Sequence, residues 1–253
     1  MTEKEPELPE LPQLSIEQLE EGVQHVNNPI IGLKPIEKVY LQSVAEYIQQ
    51  DNNFYFSDGS ARVEIRVVSD EIIRVRLAPH GTFLEEFSYA VPKLDQRATV
   101  FSFKETEQTY RVETNTVACV IDKQDFLISF EDNANRVINS DYSTMHWEEN
   151  VDFGGYYVYC TKQCSPDESF YGLGDKPVSF NIRGRRFQNW ATDTYAFSRD
   201  QDPLYRAIPF YIGVKEDISY GIFFDNSYKT HFDFAHQDAG KTSFWADGGE
   251  LQY

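Results

Sequence analysis

From about Lys38 onward the hydrophobic pattern of this chain repeats every two residues, and that period restricts the choice of fold more than any other feature. Arg62-Val-Glu-Ile-Arg-Val-Val68 puts Val63, Ile65 and Val67 on one face and charged residues on the other. Ile73, Val75 and Leu77 alternate with Arg74 and Arg76, and Asp70-Glu71 between the two runs reads as a tight hairpin. Further strands are predicted over 99–104, 109–114, 116–122, 126–131, 155–161, 206–213, 219–225, 228–234 and 242–247. Turn signals such as Ser57-Asp-Gly59, Asp132-Asn133 and Asn139-Ser-Asp141 separate several of them. Almost no helical periodicity follows residue 30. The pattern predicts an all-β, two-sheet antiparallel β-sandwich. The intervals 78–98, 140–154 and 173–205 are expected as loops too long for simple hairpins, and such loops carry function or an interface.

The aromatic bias agrees with strands: 19 Phe and 16 Tyr against 2 Met suit a pleated, half-buried surface. A chain of 253 residues buries enough apolar surface to fold without disulfides. The amino-terminal stretch differs. Residues 1–14 read as an acidic, Pro-rich tail, and Ser15 with Gln18 forms a capping box. A short N-terminal helix is predicted over about 16–26, with Ile16, Leu19, Val23 and Val26 on one face and Asn27-Asn-Pro29 ending it. The domain reading is therefore 1–34 for tail and helix, and 35–253 for the sandwich.

A formal charge of −18 excludes a nucleic-acid partner, because phosphate backbones need clustered Lys and Arg and the only dense basic run is Arg183–Arg186. No apolar stretch is long enough to span a bilayer as a helix. The acidic N-terminus shows no signal-peptide core, so a cytoplasmic protein is expected; a periplasmic or secreted one applies if a leader has been removed. Cys119, Cys160 and Cys164 are an odd set and read as free thiols. Cys160 and Cys164 have half-site spacing, but no second pair follows, so no metal and no cofactor is expected.

The segment Phe170–Asn226 carries the chemistry. It opens Phe-Tyr-Gly-Leu-Gly-Asp-Lys at 170–176 and runs through Arg183-Gly-Arg-Arg-Phe to Trp190-Ala-Thr-Asp193. Asp202-Pro-Leu-Tyr205, Ile208-Pro-Phe-Tyr211-Ile-Gly213 and Gly221-Ile-Phe-Phe-Asp225-Asn226 follow. Gly172-Leu-Gly174 lacks the third glycine of a dinucleotide loop and reads as a strand ending in a sharp turn with positive φ. Arg183, Arg185 and Arg186 either lie solvated on a loop or grip carboxylates that pin it. Trp190, Tyr195, Phe197 and Tyr205 either pack on a partner or line a pocket. Asp193, a carboxylate flanked by rings, has the form of a sugar contact: ring faces cover the C–H side while the acid accepts from hydroxyls. The competing reading is a turn cap made by Asp193 with Thr192. No carboxylate pair among Asp193, Asp200, Asp202, Asp225 and Asp233 stands out as an acid and nucleophile. Asp200 and Asp202 read as caps around Pro203, Asp225-Asn226 as a hairpin turn, and the five histidines as structural.

These motifs, in this order, resemble the N-terminal domain of glycoside hydrolase family 31, the α-glucosidase and α-xylosidase family. The resemblance implies a galactose-mutarotase-like sandwich followed by a (β/α)8 barrel that carries both catalytic aspartates, the nucleophile in a Trp-x-Asp-Met motif. That motif does not occur here, so no catalytic residue is expected in this chain, and the chain alone is expected to be inactive. The strand Gly248-Gly249-Glu250-Leu251 is expected to mark the junction to the barrel. The resemblance places Asp193 in substrate binding, with Trp190, Thr192 and Tyr195 as its neighbours; Ala191 stands where Asn is common. The expected partners are an α-glucoside or related oligosaccharide and the enzyme's own barrel, with room for a homo-oligomer. Two other readings remain: a stand-alone carbohydrate-binding module, and a mutarotase-like epimerase, for which no His/Glu acid–base arrangement is evident.

Overall fold

The computed structural model describes residues 37–91 and 99–253. The tail and the helix expected over 16–26 lie outside them. Eighteen strands and no helix occupy the described residues. The first nine are β1 (Val39–Tyr40), β2 (Glu46–Gln50), β3 (Asn53–Ser57), β4 (Arg62–Ser69), β5 (Ile72–Ala78), β6 (Ser102–Glu105), β7 (Thr109–Glu113), β8 (Val117–Asp122) and β9 (Ile128–Asp132). Then come β10 (Val137–Glu149), β11 (Tyr156–Gln163), β12 (Ser169–Gly174), β13 (Arg185–Asn189), β14 (Ala207–Lys215), β15 (Ile218–Phe223), β16 (Thr230–Phe234), β17 (Lys241–Ala246) and β18 (Leu251–Gln252). They form three antiparallel sheets: a large one in the order β13-β16-β17-β11-β10-β9-β8-β7-β6 with β1 also on β10, one of β12-β14-β15, and one of β18-β5-β4-β3-β2.

The two smaller sheets pack on the inner face of the large one. Phe54 and Phe56 of β3 are fully buried and meet Phe103 and Tyr110 at ring separations of 5.1 and 5.2 Å. At the other half, Phe170 of β12 lies 5.0 Å from Phe234 of β16, and Tyr211 of β14 lies 5.0 Å from the same ring. Each ring removes apolar area from water worth a few kcal/mol, at roughly 25 cal/mol per Å2. One charged pair lies inside this core. Lys162 and Asp141 meet at 2.6 Å with no exposure of either side chain, and Lys162 also donates to the Tyr253 hydroxyl at 2.8 Å. Asp141 accepts the Ile128 amide as well, so both charges are compensated.

On the outer face, rings stack from strand to strand: Tyr40 on His146 (4.7 Å), His146 on Tyr159 (4.5 Å), Tyr159 on Trp245 (6.0 Å) and Trp245 on His231 (4.9 Å). All four pairs are directly opposed in the ladder, so sheet register builds the row. Burial and nearby Lys38 hold the His146 imidazole down at about 4, so it stays neutral at ordinary pH.

The strands expected from alternation are present, and Asp70-Glu71 does join β4 to β5, with a register shift between Val67 and Ser69. Two intervals differ from expectation. The stretch 140–154 is mostly strand: β10 runs to Glu149 and pairs with β9 at its start and β11 at its end, bending through register shifts between Asp141 and His146. Asn139, Asp141 and His146 place polar groups at buried positions, which breaks the apolar alternation. The interval 173–205 contains β13, a margin strand whose arginines read as loop. Asp225-Asn226 is not a hairpin turn either, because β15 and β16 belong to different sheets. Its side chains instead hold the incoming β18: Asp225 accepts from Gln252, and Asn226 donates to the carbonyls of Gly248 and Glu250.

Candidate functional site: a clasped loop carrying Asp193

β12 ends in Gly172-Leu173-Gly174, whose φ angles are 138°, 66° and 80°. A Cβ on Gly172 would lie 2.5 Å from the Phe210 carbonyl oxygen, so only glycine permits this close approach to β14. The chain then turns to Asp175 and Lys176 and crosses to β13. After Asn189 it leaves the large sheet as the loop 190–206 and returns as β14.

Side chains tie the base of this loop to the frame. Lys176, 4% exposed, lies 2.5 Å from Asp202 and donates to the Gln188 carbonyl at 2.9 Å, while the Gln188 amide donates to Asp202 at 2.5 Å. Arg185 pairs with Asp200 at 2.6 Å, and Arg206 forks onto Asp175 at 2.7 and 2.8 Å. Arg206 holds the Asp175 carboxyl below its ordinary range. Within the loop, the Thr192 amide donates to the Leu204 carbonyl at 3.0 Å, and the Tyr205 hydroxyl donates to the Thr194 carbonyl. Phe197 packs edge-on against Tyr205. The loop thus has a defined shape although it has no secondary structure.

Of the three loop arginines, Arg185 grips a carboxylate. Arg183 donates to the carbonyls of Ser165, Glu168 and Ala239, and Arg186 lies 4.7 Å over the Trp245 ring. None is merely solvated.

Asp193 sits at the exposed side of the loop, with no hydrogen bond or ion pair to any described residue. The turn cap is made by its neighbour: the Thr192 hydroxyl donates to the Trp190 carbonyl at 3.0 Å. Trp190 is 48% exposed, with the Lys229 ammonium 5.7 Å from its ring, and Tyr195 is 95% exposed. The structure therefore brings Trp190, Asp193 and Tyr195 to one accessible stretch and turns the Thr192 hydroxyl back on the chain. The other acids are occupied: Asp200 and Asp202 in ion pairs, Asp225 by Gln252, and Asp233 by the amides of His236 and Gln237. Asp202 is a correction, since it is a structural anion and not simply a turn residue before Pro203. Lys176 is the residue that sequence reasoning missed. Its only signal was a lysine closing the Gly-Leu-Gly-Asp-Lys run.

Next to the loop, β14 presents Ile208, Phe210 and Ile212 outward, all about two-fifths exposed, with Tyr171 and Phe180 in contact beside them. No described residue covers this apolar face. The described residues also hold no cluster of three or more His, Cys, Asp or Glu arranged for a metal. The three thiols are buried, and burial pushes Cys160 up to about 12.

Comparison with known proteins agrees with this architecture. The family described as glycosyl hydrolase 31 N-terminal galactose mutarotase-like domain matches residues 62–233. Alpha-glucosidase 2 of Bacillus thermoamyloliquefaciens is 28% identical over 222 residues, 85% of this chain but 27% of that protein. The alpha-xylosidase XylQ of Lactiplantibacillus pentosus is 23% identical over 77% of this chain and 24% of its own length. A GH31 dextranase of Flavobacterium johnsoniae, solved with isomaltotriose, superposes with a TM-score of 0.76 at 29% identity, covering 85% of this chain and 26% of that one. The chain thus spans about a quarter of the length of these relatives. With the match extending over most of the described sandwich, the chain belongs to the glycoside hydrolase family 31 N-terminal galactose mutarotase-like domain family.

Proposed function

We propose that this chain is the N-terminal domain of a retaining α-glycosidase of α-glucosidase type and that Asp193 binds the terminal sugar at the mouth of a catalytic barrel. The observation that carries the reading is the state of Asp193: an exposed carboxylate without a partner among the described residues, between two exposed rings, on a loop otherwise closed by hydrogen bonds and ion pairs. A free carboxylate held in place can accept hydrogen bonds from a pair of sugar hydroxyls with little ordering cost at binding. The catalytic acid and nucleophile are assigned to the barrel, since the other aspartates of the segment serve the fold. The apolar face of β14 beside the loop is assigned to the barrel contact; an exposed patch of this kind marks an interaction surface.

Relatives supply the substrate class. The dextranase of Flavobacterium johnsoniae has been solved with isomaltotriose and with glucose, and the matched α-glucosidase takes its name from α-glucosides. An α-linked glucoside is the substrate class we assign to the intact enzyme.

The test is a pair of assays with p-nitrophenyl α-D-glucoside. The 253-residue chain alone is expected to release no nitrophenol, and the same chain joined to its barrel is expected to turn the substrate over. Hydrolysis by the isolated chain would overturn the assignment of catalysis to the barrel.

A further inference from the structure

We propose that Lys176 and Asp202 are positioning residues for Asp193: a half-buried ionic clip fixes the base of the loop and thereby the place of the free carboxylate. The inference rests on the reading of Asp193 as a sugar-binding group and adds to it the device that aims the group.

β13 is the margin of the large sheet, so the backbone groups of Gln188 that face away from β16 have no neighbouring strand. Such groups need partners. Lys176 fills the Gln188 carbonyl and Asp202 fills the Gln188 amide, and the two side chains meet each other at 2.5 Å. The result is a closed ring of three contacts in place of a strand. Gln188 lies two residues before Trp190, and Asp202 lies on the returning limb, so the ring joins the two ends of the loop.

Leu204 of the loop is buried as well; the other polar ties between loop and frame are weaker in kind. Arg185–Asp200 and Arg206–Asp175 are substantially exposed pairs, which contribute little. One backbone bond, from the Asp200 amide to the Pro177 carbonyl, adds to them. The bonds Thr192 to Leu204 and Tyr205 to Thr194 run within the loop and set its shape, not its attachment. The clip is the least exposed of these ion pairs, its Lys176 side chain 4% and its Asp202 side chain 19% exposed, with Lys176 packed 5.5 Å from the Phe187 ring centroid. Loss of the clip frees the loop as a unit and lets Asp193 move off its target.

Two readouts test this. In the 253-residue chain, Lys176→Met should speed amide exchange at Gln188 and at Asp200, whose amide bonds the Pro177 carbonyl of the frame, at least ten-fold while leaving Phe232 and Phe244 in the neighbouring strands unchanged. Unchanged loop exchange, or equal acceleration across the whole sheet, would overturn the proposal. In the barrel-linked protein, Lys176→Met should lower kcat/KM for p-nitrophenyl α-D-glucoside by ten-fold or more per folded molecule. Asp202→Asn, which keeps an acceptor for the Gln188 amide, should lose less. Combined with Asp193→Ala, Lys176→Met should add less than a two-fold further loss, because a misplaced group and a missing one are equivalent. Multiplied losses in that double variant would mean a general structural role and would sink the clip. If Asp193→Ala itself has no effect, both the clip's purpose and the sugar reading fall; if only Lys176→Met has none, the sugar reading stands alone.

Discussion

Two lysine–aspartate pairs, one fully buried and one half-buried, serve different parts of this domain. Lys162–Asp141 lies at the centre of the sandwich, joins strands already joined by ladder hydrogen bonds, and also holds Tyr253. Lys176–Asp202 lies at the margin and joins segments that no ladder connects. The same chemistry therefore does different things. In the core, the sheet fixes geometry and each charge depends on the other to remain buried. At the margin, geometry itself depends on the pair. Removal of the first should lower stability and leave local shape intact, whereas removal of the second should change shape at a smaller cost in stability.

The largest expected effect is in the core. Lys162→Met leaves Asp141 buried and uncompensated, which costs about 3–5 kcal/mol. A denaturant titration checks it, and a loss under 1 kcal/mol would contradict the view of this pair as mutually dependent. Gly172→Ala comes next. The added Cβ meets the backbone of Phe210 and Tyr211 at 2.5 and 2.9 Å in a left-handed conformation, so a loss of roughly 2–3 kcal/mol is expected in the same assay.

His146 gives a pH effect of intermediate size. Its folded value, about 4, lies below the unfolded value near 6.5, so the unfolded state binds the proton first. Stability is therefore full above about pH 6.5 and falls as pH drops towards 4, by about 1–3 kcal/mol after allowance for partial solvent access. His146→Phe, which keeps the stack between Tyr40 and Tyr159, should flatten the profile in that window. An unchanged slope between pH 6.5 and 4 would show that other groups carry it. The smallest effect belongs to Asp193. Asp193→Ala should leave stability within about 0.5 kcal/mol, because the carboxylate is exposed and no described residue bonds to it.

Much of the sandwich could be read from alternation because one face of most strands carries apolar residues and the other polar ones. Val63, Ile65 and Val67 show this directly. The pattern failed where both faces carry polar or aromatic groups. β10 bends and buries His146 and Asp141, and β13 offers arginines to partners that are distant in sequence. In the loop, the ring-flanked carboxylate at 193 was legible because rings and an acid lie within six residues. The clip was not, since Lys176 and Asp202 are 26 residues apart and their meeting point, the backbone of Gln188, leaves no trace in side-chain pattern. Residue types record the chemistry of a site, but not the backbone that gathers it.

The central claim is that Asp193 holds the sugar. The direct measurement is kcat/KM for p-nitrophenyl α-D-glucoside in the barrel-linked protein, with and without Asp193→Ala. The account predicts a ten-fold or greater loss, at least ~1.4 kcal/mol of transition-state binding, with an unchanged melting temperature. A fully active Asp193→Ala enzyme would contradict it.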